Sequence, residues 1–330
     1  MYEPTLLIDG LDFGEGPRWH DGRLWYSDFH QHRVYAVDSA GSREVMVEMG
    51  EERPSGLGWL PGGDLLVVAM LARQVWRVTD GQISVHADLA EIATWHCNDM
   101  VVGAEGTAYV GNFGFDIETD RANPVAAALA IVQPDGTATA GPAGLDFPNG
   151  TVITPDGATL IVGETFGSRM TAFPILEGGL LGSPRVWAEA PGVYPDGCCL
   201  DEAGGIWVAD AGGGDVIRIL EGGEITDRIP MPDLGRSQKA YACMLGGARH
   251  RSIFMCESAV LSQSHHPDDG RIVDVDVPGA GFPYTTYCKK HDHPPLADGI
   301  YSHVPTRIVN CQRSCAESIL PAIQVTRAFV

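Results

Sequence analysis

One motif recurs six times along the chain, and it constrains the fold more than any other feature. Each copy has a polar residue, a short apolar run, a turn rich in Gly or Asp, and a second apolar run. Successive copies start 40 to 51 residues apart, and a repeat of this length is typical of repeat architectures. The copies open with EGPRW, SGLGW, NDMVV, NGTVI, DGCCL and CMLGG, and their first residues are Glu15, Ser55, Asn98, Asn149, Asp196 and Cys243.

The repeated unit predicts a blade of a β-propeller. Apolar and polar residues alternate with a period near two, and turn residues separate the runs, which indicates strands joined in hairpins. Units of about 40–50 residues with about four strands are typical of propeller blades. The alternative is a chance series of hairpins in a β-sandwich, which six copies in the same phase disfavour. We therefore expect an all-β, six-bladed β-propeller.

The sequence predicts different structures for the two ends of the chain. The segment TLLID near the N-terminus is predicted to complete the last blade beside GRIVDVDV, which closes the ring and removes an exposed edge. The propeller then covers 1–283. Residues 284–330 are expected to form an irregular or partly helical C-terminal extension.

The phase of the repeats directs one residue of each blade to the same mouth of the central channel. Three of these residues, Glu15, Asn149 and Asp196, carry hard oxygen ligands, and Asn98 adds a further amide. Converging carboxylates repel each other unless a cation neutralises them, and a cation that prefers oxygen ligands suits this set. The sequence therefore predicts a cation at the channel mouth. Asp196 is expected to point at the axis, from the strand that also contains the adjacent cysteines of DGCCL.

Four stretches occur in order along the chain: FGEGPRW, CNDMVV with AYVGNFGFD, FPNGTVITPDG, and YPDGCCLDEAGGIWVADAGGGDVIRI. They resemble the gluconolactonase/regucalcin (senescence marker protein) family of six-bladed propellers, and the resemblance spans nearly all of 1–283. It implies a single divalent cation near the channel mouth, held by Glu15, Asn149 and Asp196. The reading of the repeat phase selects the same three residues.

The resemblance also implies a metal-dependent hydrolase that opens a small sugar or aldonic lactone. Asp196 would hold the metal and accept a proton from the attacking water, and Asn98 and Asp116 would contact the substrate. His96 stands where the family often has arginine, which leaves the polarity and size of the substrate open. Oxygen and amide ligands suit Ca²⁺, Mg²⁺, Mn²⁺ or Fe²⁺ more than Zn²⁺, so the metal's identity is open too.

Two alternatives remain for the function. The same metal site would serve hydrolysis of another ester or of a phosphotriester. A non-enzymatic calcium-binding propeller would use the same oxygen ligands without turnover. The polar residues His96, Asn98 and Asp116 around the metal favour an enzyme, because ion binding alone does not need them.

The composition disfavours other classes of partner. A formal net charge of −21 argues against nucleic acid or an anionic membrane surface. No apolar stretch approaches the about 20 residues of a membrane span. The N-terminal segment lacks the basic and apolar regions of a signal peptide, and the eight cysteines are scattered, so we expect reduced thiols and a cytoplasmic location. The expected partner is a small-molecule lactone, and the oligomeric state is open.

The remaining polar and aromatic residues have structural interpretations. Asp28, Glu164 and Asp210 end apolar runs and are predicted to lie at strand ends on the blade rims. Asp99 is interpreted as a turn residue, with support of the metal as the alternative. Packing between blades is predicted for Trp19, Trp59, Trp76 and Trp207. A zinc site in the extension matches no strong template, and its candidate ligands are Cys288, His291, Cys311 and Cys315.

Overall fold

The computed structural model describes residues 2–232, 238–258 and 269–277 of the chain. In these ranges, 24 strands form six antiparallel sheets of four strands each. The innermost strand of each sheet contacts the innermost strands of the two neighbouring sheets, so the six sheets form a closed ring. The chain is therefore an all-β, six-bladed β-propeller, as the repeats predict.

The first three blades are meanders in which consecutive strands pair, numbered from the channel outward. Blade one contains β2 (Gly14–His20), β3 (Arg23–Asp28), β4 (Arg33–Val37) and β5 (Arg43–Glu48). Blade two contains β6 (Pro54–Trp59), β7 (Leu65–Ala69), β8 (Gln74–Thr79) and β9 (Gln82–Asp88). Blade three contains β10 (Cys97–Val102), β11 (Ala108–Asn112), β12 (Ala127–Val132) and β13 (Ala138–Leu145). The long connection between β11 and β12 accounts for the extra length of the third repeat.

The next two blades follow the same plan. Blade four contains β14 (Pro148–Ile153), β15 (Thr159–Glu164), β16 (Arg169–Pro174) and β17 (Arg185–Glu189), with a 3₁₀ turn at Glu177–Gly179. Blade five contains β18 (Pro195–Leu200), β19 (Ile206–Asp210), β20 (Val216–Ile219) and β21 (Ile225–Ile229). Within the described ranges, no helix is long and apolar enough to cross a membrane.

Blade six joins the two ends of the propeller. Its strands are β22 (Lys239–Gly246), β23 (Ser252–Ser258), β24 (Gly270–Asp276) and the N-terminal β1 (Thr5–Leu11). β1 pairs with β24 as the outermost strand, which confirms the predicted pairing of TLLID with GRIVDVDV. The predicted extension 284–330 and its candidate zinc ligands lie outside the described residues, so the domain boundary stays a prediction.

Burial falls from the channel to the outer edge of each blade. All six residues of β10 and all six of β18 are buried, whereas most of β9 is exposed. A strand covered on both faces is expected to read as a continuous apolar run, whereas an outer strand alternates. This difference explains why the inner strands gave the clearest repeat in the sequence.

Aromatic side chains pack between neighbouring blades. Trp19 of blade one stacks on Phe254 of blade six, with ring centroids 5.4 Å apart and planes at 8°. Trp59 of blade two meets Trp25 of blade one edge to face, also at 5.4 Å. These contacts confirm the predicted interblade role of Trp19 and Trp59. Two other tryptophans also pack in apolar clusters: Trp207 in the one that joins blades five, six and one, and Trp76 in the one between blades one and two.

Candidate functional site

Every innermost strand carries a shift in pairing register near its start. In β2 the shift falls between Glu15 and Arg18, and in β14 and β18 it lies beside Asn149 and Asp196. Bulges of this kind bend a strand and redirect its side chains, and they are common next to active sites. The bulges therefore give a backbone reason why one residue in each of five blades lines the channel mouth, whereas Ser55 of blade two is not among the lining residues.

In blade six, the residue at the channel differs from the one that the repeat alignment selected. In β22, the register shift lies between Ala240 and Ala242, so Tyr241 occupies the position that Asp196 has in blade five. Cys243, which the repeat alignment selected, is two residues too late. Its buried thiol faces the carbonyl oxygen of Trp207 at 3.3 Å. β22 lacks the polar-residue–glycine pair that four of the other blades have, and the alignment took its apolar run as the start.

In four blades glycine follows the channel residue, and it does so because neighbouring inner strands approach closely there. A Cβ on Gly150 would lie 2.2 Å from the carbonyl oxygen of Asp196, and a Cβ on Gly197 would lie 2.5 Å from the Cβ of Ala242. Contacts this short are not tolerated, so only glycine allows the strands this separation. The NG and DG pairs of the sequence thus combine a functional side chain with a position of close backbone approach.

The predicted site residues come together at one broad cavity of about 1750 Å³ at this mouth of the channel. All six line it: Glu15, His96, Asn98, Asp116, Asn149 and Asp196. Glu15, Asn98, Asn149 and Asp196 are buried at its floor. His96 and Asp116 are only partly buried.

Two carboxylates share the floor of this cavity. Burial raises the pKa of Glu15 well above its usual range, and the charge of Asp196 raises it further. Burial likewise raises the pKa of Asp196, and the charge of Asp99 adds to the effect. Each carboxylate accepts a hydrogen bond from the next backbone N–H: Glu15 from Gly16 at 3.1 Å, and Asp196 from Gly197 at 3.0 Å.

The amide of Asn149 lies beside these carboxylates. Its Nδ2 donates to Thr165 Oγ1 at 3.3 Å, and its interaction with Asp196 opposes the rise in the pKa of that carboxyl group. Because the nitrogen is used as a donor, the amide oxygen is the atom suited to a cation. No group of three or more His, Cys, Asp or Glu side chains in the described ranges is placed to share a metal ion. A cation here would therefore need the amide as well as the two carboxylates.

Asp99 lies within β10, so its interpretation as a turn residue is wrong. It is buried and accepts a hydrogen bond from Arg18 Nη2 at 2.7 Å, across 81 residues of sequence. The charges that act on Glu15 are those of Asp196, Asp99 and Arg18. Counting Glu15 itself, three carboxylates face one guanidinium, which leaves two negative formal charges at the channel mouth.

Three further carboxylates hold the loops that lead into the ligand-bearing strands. Asp28 accepts from the backbone N–H groups of residues 12 and 13, just before Glu15. Glu164 accepts from the N–H of residue 146, before Asn149, and Asp210 accepts from that of residue 194, before Asp196. These contacts confirm the structural role at the strand ends that was predicted for Asp28, Glu164 and Asp210.

The three residues predicted to contact substrate differ in how many hydrogen bonds and ring contacts they already make. The Nδ2 of Asn98 is buried and has no hydrogen-bond partner among the described residues. The imidazole of His96 stacks on Trp95 with centroids 4.9 Å apart, and burial, followed by the charge of Arg53, lowers its pKa. Asp116 faces the cavity, but its two oxygens already accept three hydrogen bonds from its own loop.

The cavity also contains residues that the sequence reasoning missed. Phe113, Phe147 and Phe166 form part of its wall, and the first two rings stack with centroids 4.6 Å apart. Arg53 and Lys239 add positive charge to the lining. Each of these two basic residues stands two positions before the bulge residue of its inner strand, Ser55 or Tyr241. This spacing is the signal that could have identified them.

Comparison with known proteins agrees with this architecture. A profile of the SMP-30/gluconolactonase/LRE-like region matches residues 13–259. The pentonolactonase XacC of Haloferax volcanii is 27% identical over 258 residues, which is 76% of this chain and 84% of that protein.

Solved structures share the fold at lower identity. A gluconolactonase from Xanthomonas campestris has a TM-score of 0.66 and 24% identity, over 84% of this chain and 90% of its own. Regucalcin from Agrobacterium tumefaciens, described as a calcium-binding protein, has a TM-score of 0.68 and 20% identity, over 86% of this chain and 97% of its own.

Proposed function

The chain belongs to the SMP-30/gluconolactonase/LRE-like family, and we propose that it hydrolyses a small hydroxylated lactone with the help of a divalent cation at the channel mouth. The observation that carries the proposal is that the carboxyl groups of Glu15 and Asp196 are buried near each other at the floor of a cavity large enough for a sugar lactone. The pentonolactonase relative supports the choice of a lactone as substrate.

The residues at the floor fit an oxygen-ligated cation. Buried carboxylates that share a site are costly unless a cation neutralises them, and a charge surplus of two matches a divalent ion. Glu15, Asp196 and the oxygen of Asn149 would hold it, and oxygen ligands suit calcium, magnesium, manganese or iron(II) better than zinc. Three protein ligands leave further coordination positions open toward the cavity.

The reaction divides between the cation and the side chains. A bound divalent cation supplies Lewis-acid polarisation of the ester carbonyl and a lower pKa for a neighbouring water. Asp196 lines the cavity, and its Oδ1 accepts the N–H of Gly197, which helps to fix the carboxylate. In this proposal Asp196 takes the proton of the attacking water and returns it to the ring oxygen as the ester opens.

The cavity wall would orient the lactone. The buried Nδ2 of Asn98 has its donor capacity free for a substrate oxygen. His96 is the neutral imidazole near neutral pH, because its pKa is lowered, and would exchange hydrogen bonds with hydroxyl groups. The carboxylate of Asp116 has lone pairs left beyond those that accept hydrogen bonds from its own loop. It is therefore still predicted to bind a hydroxyl group of the lactone.

Two other functions would use the same residues at the floor of the cavity. An ester or phosphotriester other than a lactone would need the same cation and base. A calcium-binding propeller without turnover is suggested by the description of the Agrobacterium regucalcin. The unpartnered Asn98 amide favours an enzyme, because it faces the cavity and is not needed to hold an ion.

A reconstitution experiment tests the proposal. Protein stripped of metal with a chelator is loaded separately with calcium, magnesium, manganese, iron(II) or zinc, and each form is assayed on pentono- and hexonolactones, simple esters and a phosphotriester. We expect negligible hydrolysis by the stripped protein and restored lactone hydrolysis with at least one ion. Full activity of the stripped protein would contradict metal dependence. Tight metal binding without turnover of any substrate would favour the binding propeller.

A further inference from the structure

Arg53 is a cation at the cavity that the hydrolytic mechanism does not use. It lies directly before β6, lines the same cavity as His96, and is only partly exposed. Its Nε is buried and has no hydrogen-bond partner among the described residues. The carboxylate of the adjacent Glu52 is held by the backbone, where it accepts the N–H groups of Arg53, Leu71 and Ala72 at 2.7 to 2.9 Å.

Most partly buried arginines among the described residues pair with a carboxylate, although Arg73 instead donates to the carbonyl oxygens of residues 90 and 93. Four of them pair with a carboxylate of their own: Arg18 with Asp99, Arg77 with Asp64, Arg169 with Glu164, and Arg218 with Asp201. Leaving a buried donor unmet is costly, and a guanidinium presents donors in a planar fork that matches an oxyanion. A purely structural role, in which the side chain only covers apolar surface, does not explain why Arg53 lines the cavity with its buried Nε unpartnered among the described residues.

Charges of both signs surround Arg53. Burial and then the charge of Arg53 lower the pKa of His96, whereas the charges of Asp116, Glu52 and Glu118 act in the opposite direction, so Arg53 and His96 lie near each other and near these carboxylates. Lys239 adds an ammonium to the same cavity, where it donates to the carbonyl oxygens of residues 211 and 212 at 3.1 and 2.9 Å. In a chain with a net charge of −21, an anionic substrate needs such fixed local cations.

We propose that Arg53 is a specificity-determining residue that binds an anionic group, such as a carboxylate, carried by the substrate away from its reacting ester. The proposal rests on lactone hydrolysis as the function of the site and narrows the substrate class to lactones with a free acid group. The guanidinium fork receives the two oxygens of the anion, while Glu15, Asn149 and Asp196 remain at the reacting carbonyl.

A matched pair of substrates tests this assignment. The γ-lactones of gluconic and glucaric acid share one ring and differ at the end of the chain, which is a neutral hydroxymethyl group in the first and a carboxylate in the second. Values of kcat/KM are measured for both lactones with the wild type, Arg53→Gln, Arg53→Lys and the control Arg185→Gln. Arg185 lies on the outermost strand of blade four, where its partner is the exposed Glu221, so the control makes the same change in net charge outside the cavity.

We expect Arg53→Gln to lose activity mainly on the acidic lactone. The wild type prefers the acidic lactone, and Arg53→Gln lowers kcat/KM for it by about 10- to 100-fold, the range for a hydrogen bond to a charged group. The neutral lactone changes by less than about threefold. Arg53→Lys keeps part of the preference, because it retains the charge but loses the fork, and Arg185→Gln matches the wild type. Thermal unfolding of each variant excludes a general loss of fold.

Three outcomes separate this proposal from the proposed function. Equal losses on both lactones in Arg53→Gln would overturn the specificity role and assign Arg53 to the reacting carbonyl. A wild type that hydrolyses the neutral lactone without preferring the acidic one would overturn it and leave lactone hydrolysis standing. If neither lactone is hydrolysed, the proposed function fails. Calorimetric binding of the acidic lactone then tests whether Arg53 forms an anion site. Binding that is lost in Arg53→Gln supports the anion site, and binding that is unchanged or absent in the wild type overturns it.

Discussion

Substituting Gly150 by alanine should disable the site while leaving the propeller folded. The new Cβ would stand 2.2 Å from the backbone oxygen of Asp196 and 2.7 Å from the backbone nitrogen of Cys198, whereas ordinary contact begins at 3.4 Å. Both neighbours are backbone atoms, so β14 and β18 must separate by about 1 Å, at the point where Asn149 and Asp196 meet. A displacement of about 1 Å in a catalytic group costs on the order of 100-fold in rate.

The stability change should be smaller than the change in activity. Overpacking of this kind costs about 1–3 kcal/mol, which a propeller of this size should tolerate. The assays are kcat/KM for a hydroxylated lactone, calorimetric affinity for the divalent cation, and the free energy of unfolding in denaturant. Gly103→Ala is the matched control, because its Cβ would meet Ile153 and Thr107 only at 3.6 Å. That control should retain activity and gain up to about 1 kcal/mol of stability. Wild-type turnover and cation affinity in Gly150→Ala would refute the argument that close strand approach sets the ligand geometry.

Further predictions concern the substrate wall, the interblade packing and the cation. Asn98→Ala should lower kcat/KM for a hydroxylated lactone by an amount equivalent to about 1–3 kcal/mol, and an unchanged value would remove Asn98 from the site. Trp19→Ala deletes the stack on Phe254 between blades one and six and should lower the free energy of unfolding by about 3–5 kcal/mol, whereas a loss below about 1 kcal/mol would show that the stack is dispensable. A divalent cation at 100 times its Kd should stabilise the wild type by about 2.7 kcal/mol, measured as a rise in Tm. Glu15→Gln at the same cation concentration should show a much smaller rise, and an equal rise would place the cation elsewhere.

The sequence predicted the parts of this molecule that depend on local pattern. Inner strands buried on both faces left a repeated signal that located Glu15, Asn98, Asn149 and Asp196 at one mouth, and at Glu15, Asn149 and Asp196 it was reinforced by the glycine that follows. The pairing of TLLID with the last blade followed from the need to close the ring. Family membership and the similarity to a lactonase agree with the function expected from the same motifs.

The residues that were missed depend on contacts between distant parts of the chain. Asp99 was interpreted as a turn residue because nothing near it indicates an ion pair with Arg18, 81 residues away. Tyr241 was passed over because blade six has neither a small polar or acidic channel residue nor a glycine after it, so its alignment moved two positions to Cys243. Arg53 lies outside the repeated motif, and only the three-dimensional packing shows that it lines the cavity with its buried Nε unpartnered among the described residues.

The most direct test of the central claim is the turnover of a hydroxylated lactone by Asp196→Asn at saturating divalent cation, with metal occupancy measured in the same sample. The variant keeps the size of the side chain and one oxygen ligand, but it loses the negative charge and the proposed base. Asp135→Asn, at an exposed turn of blade three, is the control for the change in net charge. The account predicts that turnover by Asp196→Asn falls by about 10²- to 10⁴-fold at full occupancy, the range for general acid–base catalysis, while the control is unaffected. Turnover at the wild-type rate in fully loaded Asp196→Asn would contradict it.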